Sequence, residues 1–205
     1  MERPLIIGIT GSIASGKTKV SELLNQAGFK ITSTDLIGHL ILFQSNVRNR
    51  LVEEFGDKIL DLNKLISRKK LSKVVFENPE KLKILNSITH PEIFKYMHSV
   101  IANSKSEMVI FEVPLLFEAE LEDHFDYIIT VSANPENQLL RLMKRNNLTK
   151  KAAMQKISSQ FSNQVKEEKA DYVIKNDEDI DELKLQVDSL IKIFPTIIKR
   201  KINPF

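Results

Sequence analysis

The chain has 205 residues, of which 42% are apolar and 28% charged, with no cysteine and a net charge of +3. That length supports one globular domain with a sizeable core and room for a subdomain or lid, and no stretch approaches the roughly 20 consecutive apolar residues of a membrane span. The missing cysteines exclude disulfides, thiolate metal sites and a thiol nucleophile, while the small positive excess is too weak to indicate nucleic acid but suits anionic, phosphorylated ligands.

The run Leu5 to Thr10 predicts a first strand. As a leading apolar segment of about six residues it is too short for a signal-peptide core, so the cytoplasm is the expected compartment. It runs directly into Gly11-Ser12-Ile13-Ala14-Ser15-Gly16-Lys17-Thr18, which satisfies the phosphate-loop pattern G-x-x-x-x-G-K-[ST]. Val20, Leu23, Leu24 and Ala27 then form a helical stripe, completing the strand, loop and helix that this chemistry needs. Glycines let backbone N–H groups converge on phosphate oxygens, and the helix start adds its positive dipole end. Lys17 supplies a point charge by the β- and γ-phosphates, and Thr18 offers a hydroxyl to Mg²⁺. Ser12, Ala14, Ser15, Gly16, Lys17, Thr18 and Lys19 are the expected nucleotide contacts in this stretch.

A second short strand is predicted at Lys30 to Thr32, with Asp35 just beyond it. A carboxylate there reads either as a helix cap, since Leu36 opens an apolar run, or as a base for an attacking hydroxyl at the sheet's carboxyl edge. About 75 residues rich in helix signals, including the stripe Leu82, Leu85 and Ile88, separate it from the third strand, Met108 to Val113. That is far more than a crossover requires and predicts a helical insertion. Glu112 reads equally as a carboxylate supporting Mg²⁺ through water and as a capping or ion-paired group. Further strands are predicted at Tyr127 to Val131 and Tyr172 to Ile174. The uniformly apolar Val109-Ile110-Phe111 and Ile128-Ile129 suit a sheet buried on both faces. The fold class is therefore α/β, a doubly wound, mainly parallel five-stranded sheet.

In a helix expected after Pro135, Gln138, Arg141 and Arg145 share one face, which reads either as a solvated polar face or as one whose arginines are brought to the charge that develops in phosphoryl transfer. Stripes at Ala153, Ile157 and Phe161 and at Ile180, Leu183, Val187 and Leu190 read as core packing, and the basic end Lys199-Arg200-Lys201 as a solvated tail. Neither an Asn-Lys-x-Asp segment nor an Asp-x-x-Gly follows the third strand, which argues against a signalling GTPase. What remains is an ATP-dependent kinase acting on a small metabolite.

Beyond the loop, the chain resembles the dephospho-coenzyme A kinase family of P-loop kinases, from the first strand to about Asn176. The resemblance rests on Ser33-Thr34-Asp35-Leu36-Ile37-Gly38-His39, Phe55-Gly56, Leu65-Ile66-Ser67-Arg68, Val75-Phe76-Glu77-Asn78-Pro79, His90-Pro91-Glu92-Ile93 and Pro114-Leu115-Leu116-Phe117-Glu118. It continues through Gln138-Leu139-Leu140-Arg141, Arg145, Gln160 and Ala170-Asp171-Tyr172-Val173-Ile174-Lys175-Asn176. It implies transfer of the γ-phosphoryl of ATP, with Mg²⁺, to the ribose 3′-hydroxyl of dephospho-coenzyme A. Asp35 then matches the base, and His39, His90, Pro91, Leu115, Leu116, Phe117 and Glu118 the acceptor side, with core packing an alternative reading of Leu115, Leu116 and Phe117. Arg141 matches an ATP-contacting arginine, and Asn176 a residue near the adenine. His-Pro is a common helix start, so His90 taken alone reads as a partly buried histidine.

The resemblance also implies a core (about 1–35, 106–135 and 168–205), an acceptor-binding insertion (about 36–105) and a lid (about 136–167). Three departures stand out. Ser33 replaces the first Asp of an Asp-Ala-Asp segment, and no Pro-Gly turn follows His39. A lid arginine is replaced by Lys166, which keeps charge but loses bidentate phosphate binding. The expected partners are ATP and dephospho-coenzyme A, with no nucleic acid or membrane, in a monomer or weak homo-oligomer. A nucleoside or nucleotide monophosphate kinase and a non-catalytic nucleotide-binding scaffold are the competing readings.

Overall fold

Five β-branched and apolar runs pair into one sheet in the computed structural model, which describes residues 3–75 and 78–202. They are β1 (Leu5–Thr10), β2 (Ile31–Ser33), β3 (Met108–Glu112), β4 (Tyr127–Ser132) and β5 (Tyr172–Lys175), in the order β2-β3-β1-β4-β5. Every neighbouring pair is parallel. Parallel strands need covered faces, which is why β1 is buried at all six positions and β3 and β4 are buried along most of their length. The register sets Ser33 and Ile9 both opposite Glu112, and Thr10 opposite Thr130, so β2, β3, β1 and β4 end along one edge of the sheet. The phosphate loop leaves from that edge.

The chain divides into two compact units, Thr34–Asn103 and the remainder. In the sheet unit, α1 (Lys17–Gln26) and α9 (Ile180–Ile202) cover one face. Val20, Leu23 and Leu24 of α1 and Leu183, Val187, Leu190 and Phe194 of α9 bury against Ile7, Ile9, Ile110, Ile129 and Ile174. Helices α6 (Pro135–Asn146), α7 (Lys150–Ser158) and α8 (Asn163–Lys169) belong to this same unit. Each begins at a side chain that accepts an early helix N–H: Asn134, Thr149 and Ser162 respectively. α9 runs through the basic end, where Lys199 is exposed; the side chains of Arg200 and Lys201 lie outside the described residues.

The other unit contains α2 (Thr34–Ile41), α3 (Ser45–Phe55), α4 (Arg68–Val75) and α5 (Pro79–Ala102). Its interior is apolar: Ile37, Ile41, Val47, Leu51, Phe55, Ile59, Leu71, Val75, Ile88 and Met97 are buried. Asn78 caps α5 by accepting from the N–H groups of Glu80 (2.9 Å) and Lys81 (3.4 Å), with Pro79 in the first turn, where its missing N–H costs nothing. Phe76 and Glu77, which contribute to the resemblance, lie outside the described residues.

His90-Pro91 does not start a helix. Both residues sit inside the 24-residue α5. The Asn78-Pro79 start lies twelve residues upstream by numbering, and Pro91 merely removes the bond its nitrogen would have made to the Ser87 carbonyl.

Candidate active site

The loop from Gly11 to Thr18 is shaped by positions that only glycine tolerates. A Cβ on Gly11 would stand 2.1 Å from the Val131 carbonyl oxygen, and one on Gly16 would stand 2.0 Å from Asn176 Nδ2; both residues have positive φ, 145° and 102°. Ala14 also takes a left-handed conformation (φ 61°), which costs a residue with a Cβ about 1 kcal/mol or more.

The carbonyls of this loop are turned outward and satisfied. Lys17 Nζ donates to the carbonyls of Gly11 (2.7 Å) and Ser12 (3.0 Å), and Gln138 Nε2 donates to Ile13 O (2.8 Å). Asn176 Nδ2 donates to Ser15 O (2.8 Å), and the N–H groups of Lys19 and Val20 donate to Gly16 O (2.9 and 3.2 Å). By contrast, the N–H groups of Ala14, Gly16 and Thr18 have no acceptor among the described residues. Ser15 Oγ is buried without a hydrogen-bond partner. Unpaired donors converging at a helix start, with outward carbonyls, are what phosphate oxygens require. The loop's free donors suit the phosphate oxygens of a nucleoside triphosphate.

The other expected nucleotide residues divide. Asn176, just past β5, is fastened to the loop: its own N–H donates to Ser132 O (2.8 Å), and its carbonyl accepts from Arg141 Nη1 (2.8 Å). Here Asn176 and Arg141 brace the loop from β5 and α6. Lys19 instead pairs its ammonium with Glu22 on the exposed side of α1 (3.0 Å), away from the cradle. Arg145 is exposed and donates to Asn146 Oδ1. Thr18 is exposed at the start of α1, where its hydroxyl is available to a cation. Glu112 accepts from Ser21 Oγ (2.7 Å), tying the end of β3 to α1.

The segment after β3 divides between core and surface. Leu116 and Phe117 are fully buried, and Leu115 is half exposed, so Leu115 alone of the three offers a surface. Glu118 turns inward: its Oε1 accepts the Phe161 N–H (3.0 Å) and lies 2.8 Å from Lys166 Nζ, while its Oε2 is buried with no partner. Lys166, expected at phosphate, has no exposed side-chain surface. Burial holds its ammonium below the usual pKa, an effect opposed by Glu118. A buried lysine needs its carboxylate more than it needs a ligand.

In the helical unit, Asp35 lies in the first turn of α2 and is exposed, without a hydrogen bond or ion pair to a described residue, so it is not the helix cap that its position suggested. His39 falls in the last turn of the same helix. The ring of His90 meets Phe94 edge-on (6.4 Å between centroids), and burial lowers its pKa from 6.5. A histidine kept neutral in the fold gives stability that is fully present above 6.5 and is lost as pH falls. In an NMR titration its ring should therefore protonate below 6.5, and His90→Gln should flatten the loss of stability on the acid side of that value; a midpoint at or above 6.5 contradicts this.

Two residues carry a role that sequence reading did not give them. Gln160 Oε1 accepts the N–H of Ile13 (2.7 Å), and Gln138, read as one of a phosphate-facing set, is buried against the Ile13 carbonyl. Separations of 147 and 125 residues leave no local pattern that could announce these contacts.

A model of the family described as dephospho-CoA kinase matches residues 5–182. The chain belongs to the dephospho-CoA kinase family. A dephospho-CoA kinase of Fusobacterium nucleatum is 40% identical over 184 residues, covering 90% of this chain and 95% of that protein. One from Listeria monocytogenes is 40% identical over 192 residues, covering 92% and 96%. Among solved structures, dephospho-CoA kinase from Campylobacter jejuni superposes with a TM-score of 0.71 at 32% identity, over 93% of this chain and 97% of that one. TT1252 from Thermus thermophilus does so with a TM-score of 0.83 at 27% identity, over 94% and 99%. A shikimate kinase from Bacteroides thetaiotaomicron shares the fold alone (TM-score 0.54, 14% identity; 93% and 98% covered). As a family member, the chain is a kinase on a P-loop α/β scaffold, and among the described residues no helix is long and apolar enough to cross a membrane.

Proposed function

We propose that this kinase transfers the γ-phosphoryl of ATP to the ribose 3′-hydroxyl of dephospho-coenzyme A, giving coenzyme A and ADP. The observation that carries the phosphate half of this reading is the set of unpaired donors at Ala14, Ser15, Gly16 and Thr18; family membership carries the acceptor half.

The loop N–H groups and Lys17 hold the phosphates and stabilise charge as the bond from the γ-phosphorus to its bridging oxygen breaks. For this Lys17 exchanges its carbonyl partners, Gly11 and Ser12, for phosphate oxygens, which suit an ammonium better. Asp35 accepts the proton of the attacking hydroxyl as the new phosphorus–oxygen bond forms. Mg²⁺, when bound, neutralises charge on the phosphate oxygens, and the Thr18 hydroxyl would hold it. The insertion, with His39, His90, Pro91 and the exposed Leu115 beyond it in sequence, receives the acceptor. The region of about 136–167 serves as a lid that excludes water. The enzyme works in the cytoplasm as a monomer or weak homo-oligomer.

An assay at fixed Mg-ATP with a panel of acceptors tests this. Dephospho-coenzyme A is expected to exceed any nucleoside or nucleoside monophosphate in kcat/KM by at least about 100-fold, the range that a built hydroxyl site supplies. Preference for a nucleoside monophosphate would overturn the acceptor assignment.

A further inference from the structure

Gln138 and Gln160 seize the same peptide residue of the phosphate loop from opposite sides. Gln138, on α6, donates to the carbonyl of Ile13, while Gln160, between α7 and α8, accepts its N–H. Gln138 is itself locked: it is 2% exposed, and its Oε1 accepts from Asn163 Nδ2 (3.3 Å). A third tie reaches the loop from the same segment, Ser12 Oγ to the carbonyl of Phe161 (3.4 Å). The next residue along the loop is Ala14, held at φ 61°.

These facts belong together. A left-handed alanine relaxes toward negative φ unless its flanks are fixed, and relaxation would rotate the neighbouring N–H groups away from where a phosphate sits. Behind Ala14 the chain is pinned by the Asn176 bond to Ser15 O; ahead of it, by the two glutamines.

We infer that Gln138 and Gln160 are positioning residues that keep the phosphate loop in its binding shape by immobilising Ile13, so that Ala14 stays left-handed. Neither side chain needs to touch the nucleotide. Their effect passes through the loop backbone, so the helical segment that follows β4 sets how well the loop binds before any acceptor arrives.

Calorimetric titration of the 205-residue chain with Mg-ATP, paired with steady-state kinetics, tests this. Gln160→Ala should weaken ATP binding about tenfold, as expected for losing one hydrogen bond and part of a backbone restraint, with kcat at saturating ATP changed less than about threefold. Gln138→Glu, which keeps the volume and removes the donor, should act in the same direction. The decisive arm is Ala14→Gly placed in the Gln160→Ala background. Glycine adopts positive φ without strain, so the double variant should regain about threefold or more of the lost affinity. Were Gln160 instead a direct ligand of ATP, glycine at position 14 would restore nothing. Unchanged affinity in Gln160→Ala, or a loss that Ala14→Gly does not reduce, overturns the proposal. The inference rests on the loop being an ATP site. A parent protein that binds no ATP would overturn both, whereas one that binds ATP but forms no coenzyme A would overturn only the acceptor reading.

Discussion

Asp35→Asn is expected to lower kcat by about 10²- to 10⁴-fold while leaving the dissociation constant for ATP within about twofold of the parent. The separation follows from what the groups bond to. The phosphate loop Gly11–Thr18 and the side chains that brace it, Gln138, Arg141, Gln160 and Asn176, hold one another, whereas Asp35, in the first turn of α2, bonds to none of them. A structural role cannot account for so large a loss. Asp35 is exposed and bonded to no described residue, so the amide sacrifices at most the interaction of a carboxylate with a helix start, about 0.3–1 kcal/mol. An effect of that size would be seen as a slightly lower Tm with normal turnover. Equal losses in ATP affinity and kcat, or retention of more than about a tenth of the parent's kcat, would remove Asp35 from the role of base.

Lys166→Met should instead be damaging to stability. Removing the ammonium leaves the Glu118 carboxylate with one oxygen on the Phe161 N–H and the other buried and unpaired. Breaking a buried ion pair from one side costs about 3–5 kcal/mol, and the slight exposure of Glu118 (16%) points to the lower end. A chain of this length would then melt roughly 6–12 °C lower. Adding Glu118→Gln should return most of that loss, because an uncharged partner no longer demands a counter-charge. If Lys166→Met keeps the parent's Tm but weakens ATP binding, Lys166 is a phosphate ligand after all, and the ion pair is incidental.

These two residues show how unevenly the sequence exposes its site. The loop was legible because its chemistry is local: eight consecutive residues between a buried strand and an amphipathic helix carry the glycines, the ammonium and the hydroxyl. The sheet was legible for a similar reason, since strands buried on both faces must be apolar throughout; edges moved by a residue, as at β2, where Ser33 joined and Lys30 did not. What braces the loop was hidden. Asn176 meets Ser15 across 161 residues, and the choice of Lys166 for Glu118 over phosphate depends on burial that charge alone cannot reveal. The same applies to Leu116 and Phe117, where apolar character fits a pocket wall and a core equally until the fold buries them. His90-Pro91 misled in another way, because proline marks a helix start only when no earlier start has been established, and Asn78-Pro79 had established one.

The strand order has a consequence for synthesis on the ribosome. β1 occupies the centre of the sheet, yet its two partners, β3 and β4, begin only at Met108 and Tyr127. At about 5–20 residues per second, Leu5–Thr10 leaves the exit tunnel and waits roughly 5–25 s before either edge can be covered. Throughout that interval an uncharged, β-prone hexapeptide is open to wrong pairing with other nascent chains. The residues just before it, Arg3 and Pro4, combine a charge with a nitrogen that cannot donate, the pairing that protects such segments from stacking. The strand that presents the phosphate loop is thus the part of the nascent chain longest in need of a guard, and it carries one at its own threshold.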